Sequence, residues 1–209
     1  MFKPSSYYHI YNHANGFENL FQEEENYRYF LQQWEKYISS IAETYVYCLM
    51  PNHLHFLIKI KDEVEVLNLG GFQNLQGLEG SENLQGLEDK TSKIISKKFS
   101  NLFNSYTKAF NKRYNRMGSL FMPNFKRKEI DNEKYLLNLI YYIHRNPVHH
   151  KFCKDFRDWK HSSFHALTSD STTFLNKDFI ASYFEDIDNF KVSHEQELNA
   201  NEEYFLEKF

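Results

Sequence analysis

The chain has 209 residues, a formal net charge of −3, two cysteines, and 18% aromatic residues in the form of 20 Phe, 15 Tyr and 2 Trp. That length suits one domain with an extension, and 41% hydrophobic residues can build a core, much of it from bulky rings. No apolar run approaches the roughly 18 to 20 residues of a membrane span. Met1 to Tyr11 lacks a signal-peptide stretch, and Cys48 and Cys153 form no CxxC pair, so a soluble cytoplasmic chain is expected and a coiled coil, membrane protein or disulfide knot is excluded.

In chain order, Tyr7 to His13 (YYHIYNH), bounded by Pro4 and the Asn15-Gly16 turn signal, reads as a strand. Tyr27, Phe30, Leu31, Trp34, Ile38 and Ile41 follow at helical spacing. Thr44 to Met50 and Leu54 to Ile60 read as an antiparallel hairpin turned at Pro51-Asn52. Gly70 to Asp89 carries an imperfect duplication, NLQGLE at Asn74 to Glu79 and again at Asn83 to Glu88, and is expected to be an extended acidic loop, an insert spanning 67–90. Ile95, Phe99, Leu102, Phe103, Tyr106, Phe110 and Tyr114 form a helical stripe that Gly118 can end. Ser119 to Ile130 reads as an edge strand interrupted by Pro123, and Asp131 to Arg145 as a helix capped by Asp131 or Asn132, with Pro147 near its end. The order β-α-β-β-α-β-α predicts an α+β, ferredoxin-like core with an antiparallel sheet. Residues 1–150 are expected to form that domain, and 151–209 a polar C-terminal extension ending in an acidic tail.

The near-neutral total hides segregation. Lys90 to Lys128 holds eleven bases and no Asp or Glu, whereas Asp62 to Asp89 holds seven acids and no base, and Glu185 to Phe209 eight acids against two lysines. Such asymmetry suits a polyanion-binding face with acidic accessory segments, although a solvated helix face has the same composition.

In the second hairpin strand His53 and His55 point to one face while Leu54 and Phe56 point to the other. Two imidazoles on a rigid strand can mount a metal, and a His-x-His pair is also what exposed strand histidines look like. On the last core helix, Leu136, Leu139, Ile140 and Ile143 set the buried direction. Tyr142 and Asn146 lie about 110° and 70° from it on one flank, from where they can look toward the histidines, while Tyr141, about 150° away, is expected to face solvent. By helix geometry alone Tyr142 is also an ordinary flank tyrosine.

Taken together the motifs YHIYNHANGFENLF, YCLMPNHLHFLI, FNKRYNRMGSLF and YYIHRNPVHH, in that order, cover most of the chain, and the sequence resembles the single-tyrosine HUH transposases of the REP-associated tyrosine transposase type. The resemblance implies that His53 and His55 are the metal-binding histidines, that Asn146 is the polar residue completing the metal site, and that Tyr142 is the nucleophile. It further implies Mg²⁺ or Mn²⁺ as cofactor, and single-stranded DNA, commonly with a hairpin of a palindromic repeat, as partner, handled by a monomer or a homodimer. Where relatives often carry Arg after the first-strand Asn this chain has His13, and the Gly70 to Asp89 insert has no counterpart in the family core.

The implied reaction is tyrosine attack on a phosphodiester, giving a 5′-phosphotyrosine and a free 3′-OH that can be rejoined without ATP. Arg113, Arg116, Lys126, Arg127 and Lys128, around the edge strand, are the candidate DNA contacts. Two other readings share these residues: a domesticated, non-catalytic DNA-binding module on the same fold, and a phosphoesterase that uses activated water.

Overall fold

The computed structural model describes residues 1–69 and 81–195, the side chains of 81–85 excepted. A four-stranded antiparallel sheet of β1 (Tyr7–His13), β2 (Ala42–Met50), β3 (His53–Ile60) and β4 (Lys126–Ile130) has the order β2-β3-β1-β4. This is the expected ferredoxin-like arrangement, in which two β-α-β crossovers interleave their strands. The helices are α1 (Glu24–Ile38), α2 (Glu63–Leu69), α3 (Ser81–Arg113), α4 (Glu133–His149), α5 (Ser163–Thr168), α6 (Lys177–Tyr183) and α7 (Ile187–Ser193).

Alternation along the strands assigns the two faces. Tyr8 and Ile10 of β1 and Leu54, Phe56 and Ile58 of β3 turn toward α1 and α3, where Trp34 stacks on Phe56 at 3.5 Å and Phe99 on Phe2 at 5.5 Å. His9, Tyr11 and His13 of β1, with His53, His55 and Leu57 of β3, turn to the other face, which α4 covers. Both faces are therefore packed, and seven of the eight β3 residues are buried.

Several expectations need correction. Gly118 does not end α3: the helix stops at Arg113, Asn115 takes the left-handed conformation (φ 48°), and Gly118 (φ 89°) shapes the turn beyond. Of Ser119 to Ile130, Lys126–Ile130 is a strand, while Phe121 makes an isolated bridge to Ala14. The second NLQGLE copy lies not in an extended loop but in the first turns of α3. Leu87, Thr91, Ile95 and Phe99 continue its buried stripe backward at four-residue spacing, and this outweighs the cost of about 1 kcal/mol for Gly86. The first copy falls outside the described residues, as does the acidic tail beyond 195.

The helix bearing Tyr142 starts at Asn132, whose Oδ1 accepts the Tyr135 N–H (2.8 Å), and runs through Asn146 and Pro147 to His149. Pro147 stands in the last turn, where its missing N–H forgoes one intrahelical hydrogen bond, to the Ile143 carbonyl, and Lys151 (φ 60°) closes the end. Beyond it the described part of the C-terminal extension forms a 3₁₀ turn (Phe156–Asp158) and three short helices. Residues 159–176 run along β2: Trp159 Nε1 donates to Leu49 O (3.0 Å), Leu49 N to His161 O (3.0 Å), and Asn176 N to Thr44 O (2.9 Å). That edge of the sheet is thereby covered. Tyr141, expected in solvent, is buried by the segment around the last short helix, with its ring 4.9 Å from His194 and 6.3 Å from Phe184. Among the described residues no helix is long and apolar enough to cross a membrane.

Candidate active site

His53 opens β3 directly after the Pro51-Asn52 turn, and His55 follows on the same face. Asn146 and Tyr142, one helical turn apart on α4, meet them from above. His53 Nε2 lies 3.1 Å from Asn146 Oδ1, and the Tyr142 ring stands edge-on to His55 at 5.6 Å and 90°. The structure thus brings together all four residues singled out for chemistry. All are buried, His53 at 2%, His55 at 5%, Tyr142 at 7% and Asn146 at 0% exposure.

Other residues join them. His13 stacks on His53 (4.7 Å, 12°), His150 stands edge-on to His53 at 4.6 Å, and His9 lies 5.1 Å from His55. His9, Asn52 and His150 are not among the candidates that the sequence alone points to. The available signal was register: β1 residues at two-residue spacing, Tyr7, His9, Tyr11 and His13, pair in antiparallel order with Lys59, Leu57, His55 and His53, placing every one of them on the histidine face.

Burial is the main cause of the site's electrostatics. It pushes His53 and His9 down to about 3, His55 well below the ordinary imidazole range, and His13 down as well. For His53 the Asn146 contact opposes the shift, while the neighbouring imidazoles of His150 and His13 add to it. At neutral pH these rings are uncharged, which is the form that ligates metal.

A neutral His53 has one proton for two neighbours. Its Nδ1 faces Asn52 Oδ1 at 2.7 Å, which requires the proton there. The Nε2 lone pair then meets the Asn146 side-chain amide, whose Oδ1 is turned to the ring at 3.1 Å while its Nδ2 is buried without a hydrogen-bond partner among the described residues. In the metal-free chain a half-turn of this amide lets Nδ2 donate to Nε2, and as it stands the Nε2 lone pair and Oδ1 together would suit a divalent cation. Among the described residues no group of three His, Cys, Asp or Glu side chains is placed to hold a metal. The donors here are two imidazoles and an amide, an incomplete set that leaves coordination positions for phosphate oxygens, so these residues fit the cation.

The basic candidates divide. Lys126 and Lys128 pair with Tyr11 and His9 across β4 and β1 and share the histidine face. Arg127 points to the opposite face, over the Phe2 ring at 4.7 Å. Arg113 and Arg116 lie at the end of α3 and just beyond it. Arg113 pairs with Glu23 at 2.8 Å, and Arg116 pairs with Glu18 and donates to the Ser119 (2.7 Å) and Gly118 (3.2 Å) carbonyls, bracing two loops. A cleft of about 650 Å³, bordered by Ser96, Ser100, Asn104, Lys108, Phe125 and Arg127, also lies on that opposite face.

One solved structure, a REP-associated tyrosine transposase bound to a REP hairpin, is similar over 79% of this chain and 81% of its own, with a TM-score of 0.52 and 17% identity. The likeness is one of fold. No family model and no curated protein matches the sequence.

Proposed function

We propose that the protein is a metal-dependent single-stranded DNA endonuclease and strand transferase of transposase type. The observation that carries this reading is the convergence of His53, His55, Asn146 and Tyr142 on one face of the sheet. The similar transposase's bound REP hairpin supports a DNA partner that carries a hairpin. The recessed position of the four residues favours a flexible single strand over a rigid duplex.

His53 Nε2, His55 Nε2 and Asn146 Oδ1 would hold Mg²⁺ or Mn²⁺, which supplies polarisation of the scissile phosphate. The buried amide and imidazoles keep their donor atoms fixed, so little reorganisation accompanies phosphate binding. Tyr142 attacks phosphorus through its phenolic oxygen, the bond to the 3′-oxygen breaks, and a 5′-phosphotyrosine and a 3′-OH result. The phenol releases its proton and the departing 3′-oxygen takes one up. The covalent link conserves the ester, so a later 3′-OH can reverse the step. Lys126 and Lys128 neutralise strand phosphates on the approach from β4.

A 5′- or 3′-labelled single strand bearing a hairpin, incubated with the protein and Mn²⁺, tests the reading. Cleavage that is lost with chelator and in the His53→Ala/His55→Ala double variant is expected. DNA binding without cleavage would leave only a binding module, and cleavage with no protein-linked product would indicate attack by water.

A further inference from the structure

The two site histidines are held alike. His53 presents Nδ1 to Asn52 Oδ1 at 2.7 Å, and His55 presents Nδ1 to His9 Nε2 at 2.8 Å. His9 comes from the central part of β1, is 1% exposed, and lies 5.1 Å from the His55 ring at an interplanar angle of 21°. Its second nitrogen, Nδ1, is buried without a hydrogen-bond partner among the described residues.

We propose that His9 is a positioning residue whose Nε2 accepts the Nδ1–H of His55, holding His55 in the tautomer whose Nε2 lone pair is open to a divalent cation. The proposal rests on the metal-dependent reading above. Two neutral imidazoles in contact share one bridging proton, so one ring donates and the other accepts. If His9 donated, the single proton of His55 would sit on Nε2 and block the nitrogen the cation needs. If His55 donates, Nε2 is open, and His55 then matches His53, whose carbonyl neighbour Asn52 dictates the same arrangement. Exposures of 1% and 5% leave little water to compete for the bridge.

The orphaned Nδ1 of His9 argues against a packing role. A leucine or phenylalanine in the same core position would fill space with no unsatisfied polar atom, and an unpaired buried nitrogen in a native fold calls for such a reason. Partners that fix the free nitrogen of a metal-ligating histidine commonly set affinity by 10- to 100-fold, roughly.

The test uses the full chain, ¹⁵N-labelled and metal-free, and reads the tautomer of each histidine from its imidazole ¹⁵N shifts. The wild type is expected to carry the His55 proton on Nδ1, and His9→Leu to move it to Nε2, the position imidazoles favour in water. Calorimetric titration with Mn²⁺ is expected to show binding weakened roughly 10- to 100-fold in His9→Leu, with undiminished thermal stability of the metal-free chain. His9→Gln, whose Oε1 can accept the same proton, should restore affinity. A His55 proton on Nε2 in the wild type, or Mn²⁺ binding by His9→Leu equal to wild type, overturns the proposal. Should His9→Leu fail to fold, the wild-type tautomer still decides. A wild type that binds no Mn²⁺ would count against the metal-dependent reading, whereas the ¹⁵N shifts would still decide the role of His9.

Discussion

Asn146 is the residue on which chemistry and packing meet. Its Oδ1 lies 3.1 Å from His53 Nε2 and its Nδ2 has no hydrogen-bond partner among the described residues, so the amide contributes at most one hydrogen bond to the metal-free fold. Asn146→Ala is therefore expected to change the stability of the metal-free protein by no more than about 1 kcal/mol. If Mn²⁺ binds as proposed, it should stabilise the fold by RT ln(1 + [L]/Kd), about 2.7 kcal/mol at a hundredfold excess over Kd, and the same change should shrink the resulting rise in melting temperature. Thermal melts with and without Mn²⁺ measure both. An unchanged Mn²⁺ response would remove Asn146 from the ligand set. Tyr141 and Tyr142, adjacent in sequence, separate by what they touch: the first packs on Phe184 and His194, the second stands over His55.

At the scale of elements, the position of α4 relative to the sheet is set from behind by the C-terminal helices. Phe190 O accepts from His194 Nδ1 (2.8 Å), His194 Nε2 from His144 Nδ1 (2.8 Å), and His144 Nε2 from Ser163 Oγ (2.7 Å), which itself accepts the Tyr47 N–H (2.8 Å). The single Ser163 hydroxyl proton has two acceptors, His144 Nε2 at 2.7 Å and Tyr47 O at 3.2 Å, and the shorter contact gives it to His144. Ser163→Ala would leave His144 Nε2 and the Tyr47 N–H unsatisfied, and denaturant unfolding should show a loss of about 1 to 3 kcal/mol.

The β4 edge carries a second element-scale prediction. Lys126→Ala and Lys128→Ala should each weaken single-stranded DNA binding and lower the salt-dependence slope by roughly 1, because both share the histidine face. Arg113→Ala and Arg116→Ala should do less, since both guanidiniums are already engaged by acids and loop carbonyls. Equal slopes for all four variants would contradict this division.

These elements also show what a sequence conveys. Strand alternation and helix period place His53, His55, Tyr142 and Asn146 because one residue's direction follows from its neighbours along the same element. His9 was hidden because its role depends on register between β1 and β3, and Tyr141 was misplaced because its covering helices come from short, weakly periodic segments some forty residues further on. The Lys90 to Lys128 run is visible as composition, yet the sheet separates its α3 portion from the histidines. Only tertiary structure divides those bases between faces.

For the whole molecule, buried neutral imidazoles couple stability to pH. His9 and His53 are held at about 3, His194 at about 4, and His144 well below its ordinary value, each chiefly by burial. An unfolded chain protonates the same rings near pH 6.5, approximately. From about pH 6.5 downward the unfolded state binds more protons, so stability is complete above that pH and is lost as pH falls toward the folded-state values. The slope is at most about 1.4 kcal/mol per pH unit for each such ring. Melting temperature should fall markedly between pH 7.5 and 5, and a flat profile would mean these rings are charged in the folded chain.

In the proposed reaction one phenolic oxygen on this fold becomes joined to DNA. The direct measurement is peptide mapping by mass spectrometry after reaction of the wild-type protein with a hairpin-bearing single strand and Mn²⁺, followed by nuclease trimming. A nucleotide linked through a 5′-phosphate to Tyr142 is expected, absent in Tyr142→Phe and retained in Tyr141→Phe. An adduct on any other residue, or one undiminished in Tyr142→Phe, would contradict it.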